Sequence, residues 1–374
     1  MSRLAWVEID VRVLAENVRR LRELVAPSVS FMAVVKGDAY GHGALLAART
    51  ALAAGADRIG VAFAAEGVEL REDGVKAPLH VLGAVLPEQA SDLVEYRLTP
   101  CLGDEATAKA LNQAAARAGV RFAVHVKVDT GLHRLGFSPR EAVAFARKSR
   151  DLSHLLIEGV STHMARGDDG HVAETERQFH EFMDTVRAIE DLGLPVRLRH
   201  VAATSLIIDR PDMHLDMVRA GVGLFGYAPL PGQAARAGIK PVMSLKCRIA
   251  QVRTVGSGEG VGYEHRFRTN RVSRIGTVPA GYVDGVLFGL DRGGQVLVRG
   301  QRVPIRGRGC MDHSLVDLTE VPEAGPGDEI VFIGRQGDQE VWADEWASLS
   351  GRPVEDVLAG LVRKRVSRVV VGED

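Results

Sequence analysis

A (β/α)8 barrel followed by a mostly β domain is the fold class this sequence predicts, on three observations. Over its first two-thirds the chain alternates short apolar runs with longer amphipathic segments. The alternation stops at YAPLPGQAARAGIKP (227–241), which collects Pro, Gly and Ala and reads as a domain junction. Beyond it, β-type runs succeed one another without long helices between them.

Taken in order, the strand-like runs are FMAVV (31–35), RIGVAF (58–63), LHVLG (79–83), LTPCL (98–102), FAVHVKV (122–128), LIEGVS (156–161), VRLRHV (196–201) and a last one near VGLFG (222–226). Helical patterns separate most of them, among them DEATAKALNQAAARAG and ETERQFHEFMDTVRAIEDLG; the latter ends at Gly193 followed by Pro195, a stop signal. Eight strands alternating with helices over roughly 230 residues match the size of such a barrel. A doubly wound open sheet shares this pattern. The barrel is expected over residues 8–236, and the β-rich domain over 237–374 with 1–7 added to it. In that second domain SLKCRIAQVRTV, SRIGTVPAGY, GQVLVRGQRVPI, HSLVDL and DEIVFIG read as strands, ADEWASLSG and PVEDVLAGLV as short helices, and SRVVVG as the last strand.

Composition narrows the function classes. Apolar residues make up 46% and charged residues 25% of the 374, an ordinary globular balance, and a net charge of -1 gives no electrostatic reason for a nucleic-acid or membrane partner. The start, MSRLAWVEID, does not read as a signal peptide, and no apolar run approaches the roughly 20 residues of a membrane helix. Cys101, Cys247 and Cys310 are widely spaced, which fits a reducing compartment, so the expected location is the cytoplasm. The twelve histidines show no HxH or HExxH spacing, which argues against a metal-dependent hydrolase.

Barrel enzymes place their chemistry at the carboxyl ends of the strands. Lys36 closes the first strand, Lys127 and Arg134 follow the fifth, His163 the sixth and Thr204 the seventh, and Arg219 begins the eighth turn. A partly desolvated lysine at a strand end is suited to Schiff-base chemistry, although a lysine that snorkels to water occupies the same kind of position. Gly37, Gly41 and Gly43 around Tyr40 would let backbone and phenol approach a phosphate; an ordinary loop explains them too. In VHVKVD, Val124, Val126 and Val128 share one face and His125, Lys127 and Asp129 the other. That polar face, turned inward, requires a paired network, catalytic or structural. His163 and Arg219 taken singly are also explained as hydrogen-bonded structural residues. Gly221 and Gly223 would let backbone N–H groups face a phosphate.

Together AVVKGDAYGHG, KVDTGLHRLGF, STHMA, RAGVGLFGYAP, EGVGYEHRF, IGTVPAGYVDG and RGCMDHSLVDL resemble the alanine racemase family of fold type III pyridoxal-phosphate enzymes, across nearly the whole chain. The resemblance implies pyridoxal 5'-phosphate as cofactor, the interconversion of L- and D-alanine, and a head-to-tail homodimer in which the β domain completes the partner's site. It implies that Lys36 forms the aldimine and serves as one acid/base group, with Tyr263 of the other subunit as the second. Two groups on opposite faces of a planar carbon account for racemisation. His163 would hydrogen-bond that tyrosine, and Arg219 would face the pyridine nitrogen. Arg134 would contact the substrate carboxylate and the cofactor's phenolic oxygen, and Lys127 occupies a place where family members often carry an N-carboxylated lysine. Tyr40, Thr204 and the backbone of Gly221 and Val222 would hold the phosphate. Met311 would help bind the substrate carboxylate, Asp312 shares its motif, and Tyr282 would line the entry.

The chain departs from the family pattern at several points. Ala203-Thr204 replaces Asn-Ser, Glu264 replaces the glycine after the tyrosine, and Leu132-His133 replaces Met-Gly or Met-Asn. A C-terminal tyrosine that contacts the phosphate is missing, with Val354 or Glu355 in its region; losing such a hydrogen bond costs about 1–2 kcal/mol and opens the pocket. A racemase for serine or lysine on the same scaffold is therefore an alternative. A decarboxylase of the same fold is disfavoured by Tyr263 with His163, and a barrel-only cofactor carrier by the presence of a second domain.

Overall fold

The computed structural model describes residues 4–167, 170–361 and 366–372. The chain divides into two compact units, one of Leu14–Ala39 and Gly43–Lys240, the other of Met1–Val13, Tyr40–His42 and Pro241–Asp374.

The first unit is a parallel barrel whose strands, in chain order, are Ser30–Val34, Arg58–Val61, Leu79–Val81, Leu98–Leu102, Phe122–Lys127, Leu155–Ser161, Leu198–His200 and Met217–Ala220. Consecutive strands pair in that order, and the eighth returns to pair with the first. Between the seventh and eighth, backbone bonds from Asp216 N–H to Arg199 O (3.1 Å) and Arg219 N–H to Ala202 O (3.0 Å) nearly close the ring. Helices cover the outside because their apolar faces have valine and leucine surfaces to meet. Val124 and Val126 are fully buried, as are Ala108 and Leu111 of the helix Glu105–Arg117; burying such a side chain contributes roughly 1.5–3 kcal/mol. That helix starts where Asp104 accepts the Thr107 N–H (2.7 Å), and Pro139–Lys148 starts on a reciprocal Ser138–Glu141 cap.

One strand lies elsewhere than the sequence pattern suggests. The eighth strand is Met217–Ala220, and VGLFG forms a 3-10 turn, Val222–Phe225, closed by Gly226 at φ 91°. The continuous apolar character of VGLFG comes from full burial rather than from strand pairing. Arg219 therefore sits inside the strand, and Gly221 and Val222 begin the turn after it.

The sixth strand carries a bulge. Val124 pairs with Ile157 and His125 with Gly159, which leaves Glu158 as the extra residue. Bulges are uncommon between parallel strands and re-aim a side chain.

The second unit contains, among the described residues, a seven-stranded sheet. Its path runs Gln301–Pro304, Gln295–Val298, Glu329–Gln336, Met243–Arg248, Trp6–Asp10, Ser367–Val371, and Gln339–Val341 pairs with Glu329–Gln336. The amino-terminal strand thus lies between the first strand after the barrel and the last described strand of the chain. A three-stranded sheet of Gln251–Val255, Ser273–Val278 and Ser314–Asp317, and a short ribbon of Gly260–Val261 with Phe267–Arg268, complete the β framework. Helices Ala343–Ser350 and Val354–Leu361 match the two helical stretches of the sequence.

Gly159 tests the bulge. A Cβ there would lie 2.5 Å from the Leu198 carbonyl oxygen and 2.7 Å from His125 Cε1, and neither group is free to move. Gly159→Ala is expected to lower stability by about 1–3 kcal/mol in denaturant unfolding; a variant as stable as the parent would show the bulge to be plastic.

Candidate active site

The site is built outward from Arg219. Its guanidinium is buried inside the barrel, where a cation requires full hydrogen bonding. Nη2 donates to the carbonyl oxygens of Thr162 and Val201 (both 3.0 Å), and approaches His163 Nδ1 at 3.2 Å. Nη1 meets His200 Nδ1 at 2.9 Å. Among the described residues Nε–H and the second Nη1–H carry no hydrogen bond and are the donors left for a ligand. Burial lowers the guanidinium to about 10, so it stays charged at neutral pH.

Further basic groups converge on the same end. Burial, with the charge of Arg219, lowers Lys127 to about 7. Burial holds His163 well below the usual imidazole range, reinforced by the charges of Arg219, Lys127, Arg134 and Lys36. Thus Lys36, Lys127, Arg134, His163 and Arg219 share one electrostatic neighbourhood. Asp129 lies at its edge, and its charge raises Lys127 against burial and the nearby cations. The fifth strand ends at Lys127, and the Asp129 carboxylate accepts the N–H groups of Gly131 (2.9 Å) and His133 (3.0 Å) in the following loop.

Lys36 itself is exposed, two residues past the end of the first strand. It opens a left-handed turn in which Gly37, Asp38, Ala39 and Tyr40 have φ of 61°, 51°, 55° and 53°. Left-handed backbone costs a non-glycine residue roughly 1–2 kcal/mol, so three in succession must be held from outside. Glu66 ties its start down: its carboxylate accepts the Gly37 N–H (2.6 Å) while also accepting the Ala62 N–H (2.7 Å) and the Phe63 N–H (3.1 Å) ahead of its own helix. Asp38 accepts the Ala44 N–H at 2.7 Å. Tyr40 belongs to the second unit by its contacts.

Main-chain donors lie beside Arg219. Thr204 Oγ1 accepts N–H bonds from Gly221 and Gly223 (both 3.2 Å), which leaves its own proton to donate. The Val222 N–H, first in its turn, has no acceptor among the described residues. A Cβ on Gly223 would lie 2.7 Å from Thr204 Cγ2, so glycine is needed for this approach. Hydroxyl and unpaired N–H together fit a phosphate.

In the second unit Gly262, Tyr263, Cys310, Met311, Asp312 and His313 line an open hollow of about 420 Å³. Tyr263 is 64% exposed and Met311 53%. Tyr282 joins the same region: its N–H donates to the Cys310 carbonyl (3.1 Å), and its neighbour Val283 donates to that of Met311 (3.1 Å). Gly281 permits the approach, since a Cβ there would meet the Met311 oxygen at 2.4 Å. Glu264 follows Tyr263 with φ 59°, the left-handed backbone a glycine would favour, and is held by ion pairs to Arg308 and Arg266. Val354 and Glu355 begin the helix Val354–Leu361, half-buried.

Comparison with known proteins identifies the family. Family models for the alanine racemase N-terminal domain and the alanine racemase C-terminal domain match residues 9–229 and 242–370. The chain belongs to the alanine racemase family. It is similar to an alanine racemase of Halothermothrix orenii, 42% identical over 98% of this chain and 97% of that protein. Among solved structures it is similar to the alanine racemase of Streptomyces lavendulae, with a TM-score of 0.95 and 31% identity over 100% of this chain and 98% of that one. It is also similar to the Bartonella henselae alanine racemase with covalently bound pyridoxal phosphate, with a TM-score of 0.88 and 26% identity over 99% and 100%. Family membership makes the chain a racemase-type isomerase. No helix among the described residues is long and apolar enough to cross a membrane.

The family motifs do not name His200, Glu158, Arg58 or His80, yet these carry the interior below Arg219. Glu158 interrupts an apolar run beside a glycine, and that pairing is the one cue to the bulge.

These buried groups give the fold a pH dependence. Burial lowers His80, His125 and His200, as it does His163, so the folded state refuses protons that the unfolded chain binds below 6.5. The His125 hydrogen bond, with Arg58 alongside, holds Glu158 at about 2, so its contribution is present above the ordinary carboxylate range and is lost as pH falls towards 2. Lys127 acts with the same sign between 10.5 and about 7. Melting temperature is therefore expected to fall between about pH 7 and pH 5, with proton uptake on unfolding. Calorimetry of the cofactor-free protein in buffers of different ionisation enthalpy measures that uptake, and none would contradict the neutral assignment.

Proposed function

We propose that this chain interconverts L- and D-alanine with pyridoxal 5'-phosphate, using Lys36 and Tyr263 as its two acid/base groups. One observation carries the cofactor reading: Thr204, Gly221 and Val222 offer phosphate donors next to a buried, permanently charged Arg219 and a group of further cations with Lys36 among them. Such a site calls for a ligand with several negative charges. The Bartonella henselae relative, with its covalently bound pyridoxal phosphate, supports that ligand.

When bound, the cofactor would delocalise the electron pair left at the substrate α-carbon. Lys36 would hold the cofactor covalently, and its Nζ would exchange the α-proton on one face. The Tyr263 oxygen would serve the opposite face; its exposure suits a group that works in a second copy of the chain, arranged head to tail. Arg219 cannot give up its proton to a ring nitrogen, so it would leave that nitrogen unprotonated. His163 would hydrogen-bond the partner's tyrosine oxygen and orient it. Arg134 would bind the substrate carboxylate with help from the Met311 main chain; Tyr40 would join the phosphate set, Tyr282 would line the entry and Asp312 would support the loop.

The purified protein is expected to be yellow, and borohydride should fix one pyridoxyl group to Lys36 in a peptide map. Lys36→Ala should abolish both. Tyr263→Phe should retain the colour and lose at least about a hundredfold in kcat in both directions. Chiral analysis after incubation with alanine, serine and lysine ranks the substrates. Release of carbon dioxide in place of the D-isomer would move the assignment to a decarboxylase.

Lys127 would carry an N-carboxyl group. Its Nζ has no hydrogen bond or ion pair among the described residues, and with a pKa of about 7 much of it is the free amine at neutral pH. Attack on carbon dioxide forms an N–C bond, releases one proton and places an anion among the cations that surround Arg134. Protein equilibrated with 13C-bicarbonate should show one carbamate resonance, absent in Lys127→Ala. A spectrum lacking that resonance would mean that an unmodified lysine stands beside Arg134.

A further inference from the structure

A continuous line of polar groups runs inside the barrel from Arg219 to its opposite end. His200 Nδ1 lies 2.9 Å from Arg219 Nη1, His200 Nε2 lies 2.8 Å from His125 Nδ1, and His125 Nε2 lies 3.2 Å from Glu158 Oε2. His125 and His200 are fully buried. Two neutral imidazoles between a cation and an anion can be arranged in only one way. Arginine has no acceptor, so His200 Nδ1 must accept and its Nε2–H must donate to His125 Nδ1. His125 Nε2–H then donates to the carboxylate. The line reads Arg219→His200→His125→Glu158, each link polarising the next.

Two features of the backbone serve the far end of this line. Glu158 is the extra residue of the sixth-strand bulge, the device that aims its side chain at His125. Gly159 beside it leaves room for the His125 ring, whose Cε1 and Nδ1 would lie 2.7 and 2.8 Å from a Cβ there. Arg58 closes the end, with Nη2 at 3.2 Å from Glu158 Oε1 and Nη1 at 3.0 Å from His80 Nε2. His80, His125 and Glu158 lie near enough together to suggest a metal. The guanidinium of Arg58 already supplies positive charge to that cluster, and a cation would have to displace it.

We propose that Glu158 is a positioning residue for Arg219, holding the guanidinium at the cofactor ring through His125 and His200. The proposal rests on Arg219 meeting that ring, as read above. It assigns a role in the reaction to a residue at the end of the barrel opposite the chemistry.

The test has two arms. In protein labelled with 15N-histidine and stripped of cofactor, His125 and His200 should both carry their proton on Nε2 and none on Nδ1; a proton on either Nδ1 overturns the line. In the cofactor-loaded enzyme, Glu158→Gln should lower kcat about tenfold with KM for alanine changed less than about twofold, a size expected when a supporting hydrogen-bond partner is lost. Arg219→Lys should lower kcat further, and adding Glu158→Gln to it should cost nothing more, because Glu158 acts only through Arg219. Multiplied losses in the double variant, or full activity in Glu158→Gln, would refute the assignment. Should Glu158→Gln fail to fold, His125→Gln breaks the line one link nearer and takes its place in the cycle. A wild-type chain that takes up no cofactor would sink the functional reading instead, while the 15N arm still decides the line.

Discussion

Burial of a single guanidinium organises the barrel end at which the chemistry would occur. Arg219 stays charged in a place where an unpaired ion would cost several kcal/mol. The compensation comes from the Thr162 and Val201 carbonyls, which lie just past the sixth and seventh strands, while Arg219 itself belongs to the eighth. Three strand ends are thereby fixed to one planar group. His163 and His200, on either side of it, can meet a guanidinium only as neutral acceptors, and their depressed affinity for protons follows from burial first and then from the charge of Arg219.

The same constraint creates a charge imbalance. Lys36, Lys127 and Arg134 add to Arg219 at the strand ends, and the nearest acidic side chain there, Asp129, is turned to its own loop. Charges of one sign gathered at partly buried positions repel one another until anions enter. A phosphate at Thr204 and Gly221, a substrate carboxylate at Arg134 and a carbamate on Lys127 are three anions that would restore the balance. A preference for an anionic cofactor and an anionic substrate would thus be a property of the barrel end itself. The overall charge of -1 conceals it.

Sequence periodicity reached most of this architecture and stopped where backbone geometry departs from regular pairing. Seven of the barrel strands coincide with alternating or continuous apolar runs, because their outward faces must meet helices. The eighth was displaced because VGLFG is apolar for a different reason, full burial in a 3-10 turn. Glu158 could not be placed inward from a period of two, since the bulge shifts the register by one residue. The left-handed turn after Lys36 was visible only as a scatter of glycines; Asp38, Ala39 and Tyr40 adopt it although their types disfavour it, and Glu66, twenty-six residues beyond Tyr40, supplies the restraint. Site residues that follow a strand end were legible. Those aimed by an irregularity, or acting through another side chain, were not.

Glu264 shows how a departure from the family pattern can leave a site intact. A glycine in its place would take the left-handed backbone freely, whereas glutamate at φ 59° carries a penalty of about 1 kcal/mol. Its carboxylate bridges Arg308 and Arg266, and Arg308 also lies over the Phe288 ring at 5.3 Å, next to Tyr282. Solvent-exposed ion pairs contribute roughly 0.2–1 kcal/mol each, enough for two of them to offset that strain. The loop presenting Tyr263 therefore exchanges the conformational freedom of a glycine for side-chain tethers, which hold it to the segment that carries Met311 and Asp312. Freedom at the phenol is thereby reduced, and Val354 and Glu355 stand in the region where the family pattern has a tyrosine. Under the reading proposed above, Lys36 and Tyr263 would be kept while the room around the substrate would change, so substrate range is the property on which this chain is expected to differ from its relatives.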